Sequence, residues 1–193
     1  MNKKTSFLLL LLVLSHFAST AQSTKSKWHF KSTNLIGYIL GEQGSKFSMQ
    51  SINGFTKNNW MMGIGVGIDP YGYSSIPVFL DIRKSMGKKA WQPFVYADGG
   101  PSFPLPNPDL PKTWSSGIPA FDLNTGWVAE FGIGLQKKIA GSTQFVMQFG
   151  YSQKYYSFVN HNNNFVFIGG TWPETTTYEY QYRRWAFRMG ITL

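Results

Sequence analysis

The sequence predicts an all-β chain: an eight-stranded antiparallel up-and-down transmembrane β-barrel. Three observations carry that expectation. The 193 residues are 17% aromatic and include 20 glycines, but only 14% are charged, against about a quarter in an ordinary soluble domain. Segment after segment alternates apolar with small or polar residues, the period of a strand with one apolar face. The connections between these segments are short at one end and include two long ones at the other, the asymmetry of outer-membrane barrels. The same composition excludes a disordered chain, which needs few aromatics and high charge. It also excludes a coiled coil. With no cysteine, a disulfide scaffold, a thiolate zinc site and cysteine catalysis are excluded too.

The chain opens with an export signal. Asn2, Lys3 and Lys4 form a short basic start, Phe7 to Leu14 is an unbroken apolar run, and Ser19, Thr20 and Ala21 supply small residues at a cleavage site. The apolar run is too short for a bilayer-spanning helix. Cleavage after Ala21 divides the chain into a signal peptide, 1–21, and a barrel domain, 22–193. The first residue after the cut is Gln22, not the Cys of a lipoprotein anchor. Loss of Lys3 and Lys4 lowers the net charge from +9 to +7.

The strands follow in order. The first covers about Lys31 to Gly41 and the second about Lys46 to Thr56, whose facing the pattern leaves open. The third, Trp60 to Asp69, sets Trp60, Met62, Ile64, Val66 and Ile68 against Gly63, Gly65 and Gly67. In the fourth, Ile76, Val78, Leu80 and Ile82 alternate with Pro77, Phe79, Asp81 and Arg83. The fifth runs from Trp91 to Phe103; Asp98 sets its phase, since an acid facing lipid is costly, and Val95 and Ala97 then face outward. The sixth alternates Trp127, Ala129, Phe131, Ile133 and Leu135 with Val128, Glu130, Gly132 and Gly134. The seventh sets Phe145, Met147, Phe149 and Tyr151 against Val146, Gln148 and Gly150. The last runs from Trp185 to Leu193. The inner turns are Lys57–Asn59, Ser85–Ala90 and Lys138–Ser142. The outer loops are Glu42–Ser45, Pro70–Ser75, Pro104–Leu123 and Ser157–Thr177.

Alternation alone does not separate a soluble barrel from a membrane one; the composition of the two faces does. The bulky apolar face would overfill a narrow eight-stranded interior, so it points outward, and glycines with a few polar residues fill the inside. Trp60 and Trp91 fall at the inner rim and Trp127 and Trp185 toward the outer rim, two levels of an aromatic girdle.

The runs Ser51–Phe55, Gly63–Asp69, Pro77–Arg83 and Pro93–Gly100 resemble small outer-membrane β-barrel proteins of the OmpA-barrel and OmpX type. The closing Trp185–Leu193 is similar to the terminal strand recognised by the barrel-assembly machinery in that family, although the family usually ends in Phe or Trp and this chain ends in Leu193. The resemblance implies an outer-membrane location in a Gram-negative bacterium, with outer-membrane lipid and the assembly machinery as partners.

Charge placement argues against nucleic acid. Lys25, Lys27, Lys31, Lys57, Lys84, Lys88, Lys89, Lys137 and Lys138 map to the inner end, while Glu42, Asp69, Asp109, Asp122, Glu174 and Glu179 map to the outer end. A polarised barrel accounts for that division without a polyanion. Asp81, Asp98 and Glu130 lie on successive strands, with Arg83 and Arg188, and further Arg184 and Lys154, as opposite charges. Their structural reading, a salt-bridge network filling the barrel, outweighs an acid/base pair.

Catalysis lacks a constellation. Outside 1–21 the histidines are His29 at the inner end and His161 in a loop, and two histidines at opposite ends cannot share a metal ion. No cofactor is expected. The expected role is therefore non-enzymatic, structural or adhesive, through loops 104–123 and 157–177, with Trp114, Phe121, Phe165, Phe167 and Trp172 as contact candidates. Two alternatives stay open: a component of an envelope secretion or assembly complex, and a lipid-modifying enzyme.

Overall fold

The computed structural model describes residues 28–87, 90–105, 121–162, 166–167, 170–171 and 174–193. The signal peptide proposed for 1–21 lies outside them. Eleven strands are present: β1 (His29–Gly41), β2 (Gly44–Lys57), β3 (Trp60–Ile68), β4 (Ser75–Ser85), β5 (Trp91–Pro104), β6 (Phe121–Leu123), β7 (Gly126–Ala140), β8 (Thr143–Asn162), β9 (Val166–Phe167), β10 (Gly170–Thr171) and β11 (Glu174–Thr192). Eight of them, all but β6, β9 and β10, form one antiparallel wall. It closes because β11 pairs with both β1 and β8. Closure removes the open edges that a flat sheet of this size would carry.

Both described chain ends lie at one end of the barrel, where Thr33 is opposite Thr192. We call this the terminal end, and the opposite one the far end. The β2–β3 and β7–β8 turns at the terminal end are tight. Asn58 and Asn59 both have positive φ, 50° and 66°, the backbone of a two-residue hairpin turn whose twist matches its strands. Gly141 takes the same region, φ 53°, in the turn into β8.

The phase of β2 is settled by its pairing with β1. Phe47, Met49, Ser51, Asn53 and Phe55 face out, whereas Ser48, Gln50, Ile52 and Gly54 face in. On β5, Val95 and Ala97 face out and Asp98 in, as its acid dictates. The remaining strands keep the sequence-read phase, with Ile64, Leu80, Phe131 and Ile133 each more than 60% exposed on the outer wall.

The interior departs from a glycine-and-polar filling. Leu35, Ile52, Met61, Phe79, Phe94, Tyr96 and Val146 pack together inside. The inward glycines make room for these rings. A Cβ on Gly65 would lie 2.3 Å from the Phe79 ring, one on Gly134 2.2 Å from Phe94, and one on Gly150 2.2 Å from the Tyr96 hydroxyl. Small and large side chains thus alternate across neighbouring strands, which fits aromatic rings into a narrow barrel.

The far end differs from the sequence reading in two places. The outer loop bounded at Ser157 and Thr177 is shorter than that, because β8 continues to Asn162 and β11 begins at Glu174, paired in register. And the segment after Asp69 folds into the mouth: Tyr71 is fully buried there against Ile39 and Ala186.

Replacing Gly65 with Val should destabilise the barrel by about 1–3 kcal/mol through overpacking against Phe79. The same substitution in a Phe79→Leu background should cost clearly less. Urea unfolding of the four chains of that cycle measures the coupling.

Candidate functional site

The barrel interior and the far-end hairpin hold the residues that the sequence singles out. From the terminal end, the interior opens as a polar vestibule of about 250 Å³, lined by Lys31, Gln92, Gln136 and Gln144 among others. Lys31 donates to Gln144 Oε1 at 2.9 Å, and Gln136 donates to Gln92 Oε1 at 2.9 Å. The apolar cluster closes this vestibule.

Beyond it lies the carboxylate row. Strand register places Asp81 opposite Asp98 and Asp98 opposite Glu130, so an acid faces inward at the same level on β4, β5 and β7. Arg83 Nε donates to both Asp81 oxygens, at 2.9 and 2.8 Å. The Arg83 guanidinium also sits 5.5 Å from the ring centres of both Phe94 and Tyr96, a cation–π contact with two neighbouring rings. Arg188 grips Glu130 with two nitrogens, at 2.5 and 3.1 Å, the bidentate fork that suits a carboxylate. Tyr96 donates to the same carboxylate at 2.8 Å, and Arg188 Nε donates to Ser48. Asp98 is buried, and neither of its oxygens has a hydrogen-bond partner.

A second ionic cluster, whose pairing the sequence does not give, holds the mouth. Asp69, which the sequence maps to the outer end, lies at the far end and is buried there. Arg184 Nη1 donates to Asp69 Oδ2 at 2.6 Å, and Lys154 Nζ is 3.6 Å from the same oxygen. Lys154 also donates to the carbonyls of Tyr71 and Tyr73, at 3.0 and 2.7 Å. The ammonium thus ties the loop from Asp69 to Ser75 into the lumen. The sequence carried the signal: Asp69 shares the inward phase of Gly63, Gly65 and Gly67.

Together the buried ionisable side chains are Asp69, Asp81, Asp98 and Glu130 against Arg83, Lys154, Arg184 and Arg188, four of each sign among the described residues. Matching acidic with basic groups lowers the cost of burying them in a low-dielectric interior. The space left between the two ionic clusters is about 20 Å³, room for about one water molecule. The interior is a side-chain-filled plug, and its ion pairs serve the structural reading.

Trp60, Trp91, Trp127 and Trp185, the candidates for an aromatic girdle, occupy two levels on the outer wall. At the terminal end, Lys84 lies 4.5 Å over the Trp60 ring and Lys137 5.1 Å over Trp91. Trp28 joins this level with Lys57 at 5.3 Å; a first strand begun at Lys31 had left it out. At the far end Trp127 stacks on Tyr155, while Trp185 stacks on Phe149 and meets Tyr151 edge-on.

Above that level β8 and β11 rise as a hairpin. Its mouth-side face is an aromatic ladder. Tyr156 stacks on Tyr180, and Phe158 stacks on Tyr178 and Tyr180. Tyr73 meets Tyr156 edge-on from the loop, and the hydroxyls of Tyr156 and Tyr182 lie 2.7 Å apart. β6 pairs along one edge, with Phe121 opposite Asn160. Of the loop candidates, Phe121 is therefore in a strand and Phe167 is in β9. Trp114, Phe165 and Trp172 lie outside the described residues. His29 sits at the terminal end, and His161 is in β8 opposite Thr175.

The chain matches no protein-family model, no curated protein and no solved structure.

Arg188→Met should destabilise the barrel by about 3–5 kcal/mol, since it strands Glu130 as a buried, unpaired charge. The double variant Arg188→Met/Glu130→Gln should recover a large part of that loss. Denaturant unfolding of the single and double variants checks both.

Proposed function

We propose that this chain is an integral outer-membrane protein of the OmpA-barrel and OmpX type, a non-enzymatic barrel that holds a binding hairpin above the bilayer. The observation that carries the proposal is the inversion of the wall. Between the tryptophan levels its outward side chains are predominantly Leu, Ile, Val, Met and Phe, while acids and guanidinium groups point inward, where Arg83 pairs with Asp81 and Arg188 with Glu130. A soluble protein seldom exposes a contiguous apolar patch beyond a few hundred Å², and in water this wall would aggregate. In hydrocarbon it is the stable arrangement, because every barrel strand finds its backbone partners within the wall.

The girdles support the same placement. The Lys–Trp pairs at the terminal end suit an interface where an indole sits at headgroup level and an ammonium reaches anionic lipid. We assign the terminal end to the periplasm, since its turns are short, and the far end to the cell exterior. Export through cleavage of 1–21 and insertion by the barrel-assembly machinery through the last strand belong to this reading.

The binding role rests on the far-end hairpin. β8 and β11 span 20 and 19 residues, against 9 for β3, so they extend well beyond the girdle. β6 covers one edge. Among the described residues the other edge, Glu174–Arg183 of β11, pairs with β8 alone, as β1 stops at Gly41 opposite Arg184. An open edge of that length can accept an extended segment by strand addition, with main-chain hydrogen bonds giving affinity and alternate side chains giving specificity. Adhesion or capture of an extracellular partner is the function this geometry favours.

The 22–193 chain should fractionate with outer membranes and migrate differently on a gel before and after boiling. Recovery as a soluble periplasmic monomer would reject the membrane placement. Replacing residues 158–177 with a two-residue turn should leave that heat-dependent migration intact and abolish co-purification of surface partners. Retained co-purification would reject the hairpin assignment.

A further inference from the structure

Between its two girdles the outer wall is apolar except at one place. On β1, the outward side chains run Phe30, Ser32, Asn34, Ile36, Tyr38 and Leu40 from the terminal end. On β2 they run Phe55, Asn53, Ser51, Met49 and Phe47. The register sets Ser32 opposite Asn53 and Asn34 opposite Ser51, so four polar side chains form one block across two strands. Phe30 and Phe55, edge to face at 5.7 Å, bound it toward the terminal end. Tyr38 and Phe47, at 5.9 Å, bound it toward the far end. Ile191 flanks it beside Asn34, and Val66 and Ile64 flank it beside Ser51 and Asn53.

The block therefore lies inside the apolar band. Asn34 and Asn53 are each four residues in from the ring or lysine at the rim, about 10 Å along the axis of a tilted strand. Both amides are exposed on the wall, and neither makes a side-chain hydrogen bond within the described chain. In hydrocarbon, an amide with no partner is costly, and an acyl chain offers none.

We propose that this block is a self-association surface, on which a second copy of the chain docks face to face through β1 and β2. The proposal rests on the membrane placement above. Three features point to a copy. Each amide carries both donors and an acceptor, and each hydroxyl carries both as well, so the block complements itself. It bears no charge, so two blocks meet without repulsion, whereas a charged block would call for a partner of opposite sign. And a groove of about 500 Å³ runs beside it, walled by Ile36, Met49, Val66 and Ile68, which receives the projecting apolar side chains of a facing copy. Such a two-fold contact uses one patch twice. Its polar centre supplies an attraction that apolar packing in lipid lacks.

The chain has no cysteine, which permits single-cysteine mapping in intact membranes. With an oxidant, Asn34→Cys and Ser51→Cys should each give a disulfide-linked dimer. Ile133→Cys, four strands around the wall on β7, should give none. In an Asn53→Leu background the Ser51→Cys dimer should fall about tenfold, the size of effect that losing one polar side-chain contact in lipid produces. No dimer from either position would overturn the proposal, as would equal crosslinking at Ile133→Cys, adducts with other proteins only, or mass spectrometry showing bound lipid in place of a second chain. Membrane sedimentation and heat-dependent migration are read in the same samples. A chain that fails those overturns the membrane placement and this proposal together. A chain that passes them without a dimer overturns this proposal alone.

Discussion

Everything in this protein depends on the pairing of β11 with both β1 and β8. That pairing turns a twisted sheet into a wall with no loose edge around the barrel, so its backbone donors and acceptors need nothing from the surroundings. Once eight strands close, the inside is narrow and its volume is set. The remaining features answer that constraint. Inward glycines on β3, β7 and β8 accommodate Phe79, Phe94 and Tyr96, and the apolar cluster so formed seals the vestibule from the ion pairs.

The ionic interior follows from the same closure. An acid at one level of β4, β5 and β7 puts three carboxylates side by side, and Arg83 and Arg188 reach in from β4 and β11 to hold two of them. At the mouth one acid, Asp69, holds two cations, Lys154 and Arg184. In number of acidic and basic groups the two clusters are unequal separately and equal together. Lys154 reaches the loop carbonyls as well, so the charge that neutralises the interior also folds Tyr71 into the mouth. The filled plug and the ordered far end are therefore one structural unit, on which the protruding hairpin stands.

Much of this was legible in the chain. The period-two runs of β3, β4, β7 and the last strand were read with the correct facing, because each sets an unbroken apolar row against glycines or charges. Asp81, Arg83, Asp98, Glu130 and Arg188 were read as one interior network, since an acid or a guanidinium marks the inward phase wherever it occurs. β2 resisted such a reading. Its inward row includes Ile52 and its outward row includes Ser51 and Asn53, so the pattern contradicts itself until β1 sets the register. That contradiction is the trace of the polar block on the outer wall. The aromatic, Asn- and Thr-rich segment after Ser157 is legible as a candidate protruding hairpin of the last two strands, but its bounds are not: only pairing fixes β8 to Asn162 and β11 from Glu174.

The sequence by itself determined the class, the strand number and which face of most strands is apolar, because these are local consequences of alternation and of turn residues. Only the tertiary structure decided what each inward group meets. Asp69 became the counterion of Lys154 and Arg184, distant in the chain, and Gly65 became the seat of Phe79. The reason is physical: alternation assigns a side chain to a face, whereas its partner is chosen by register and closure, which bring together residues from opposite ends of the chain.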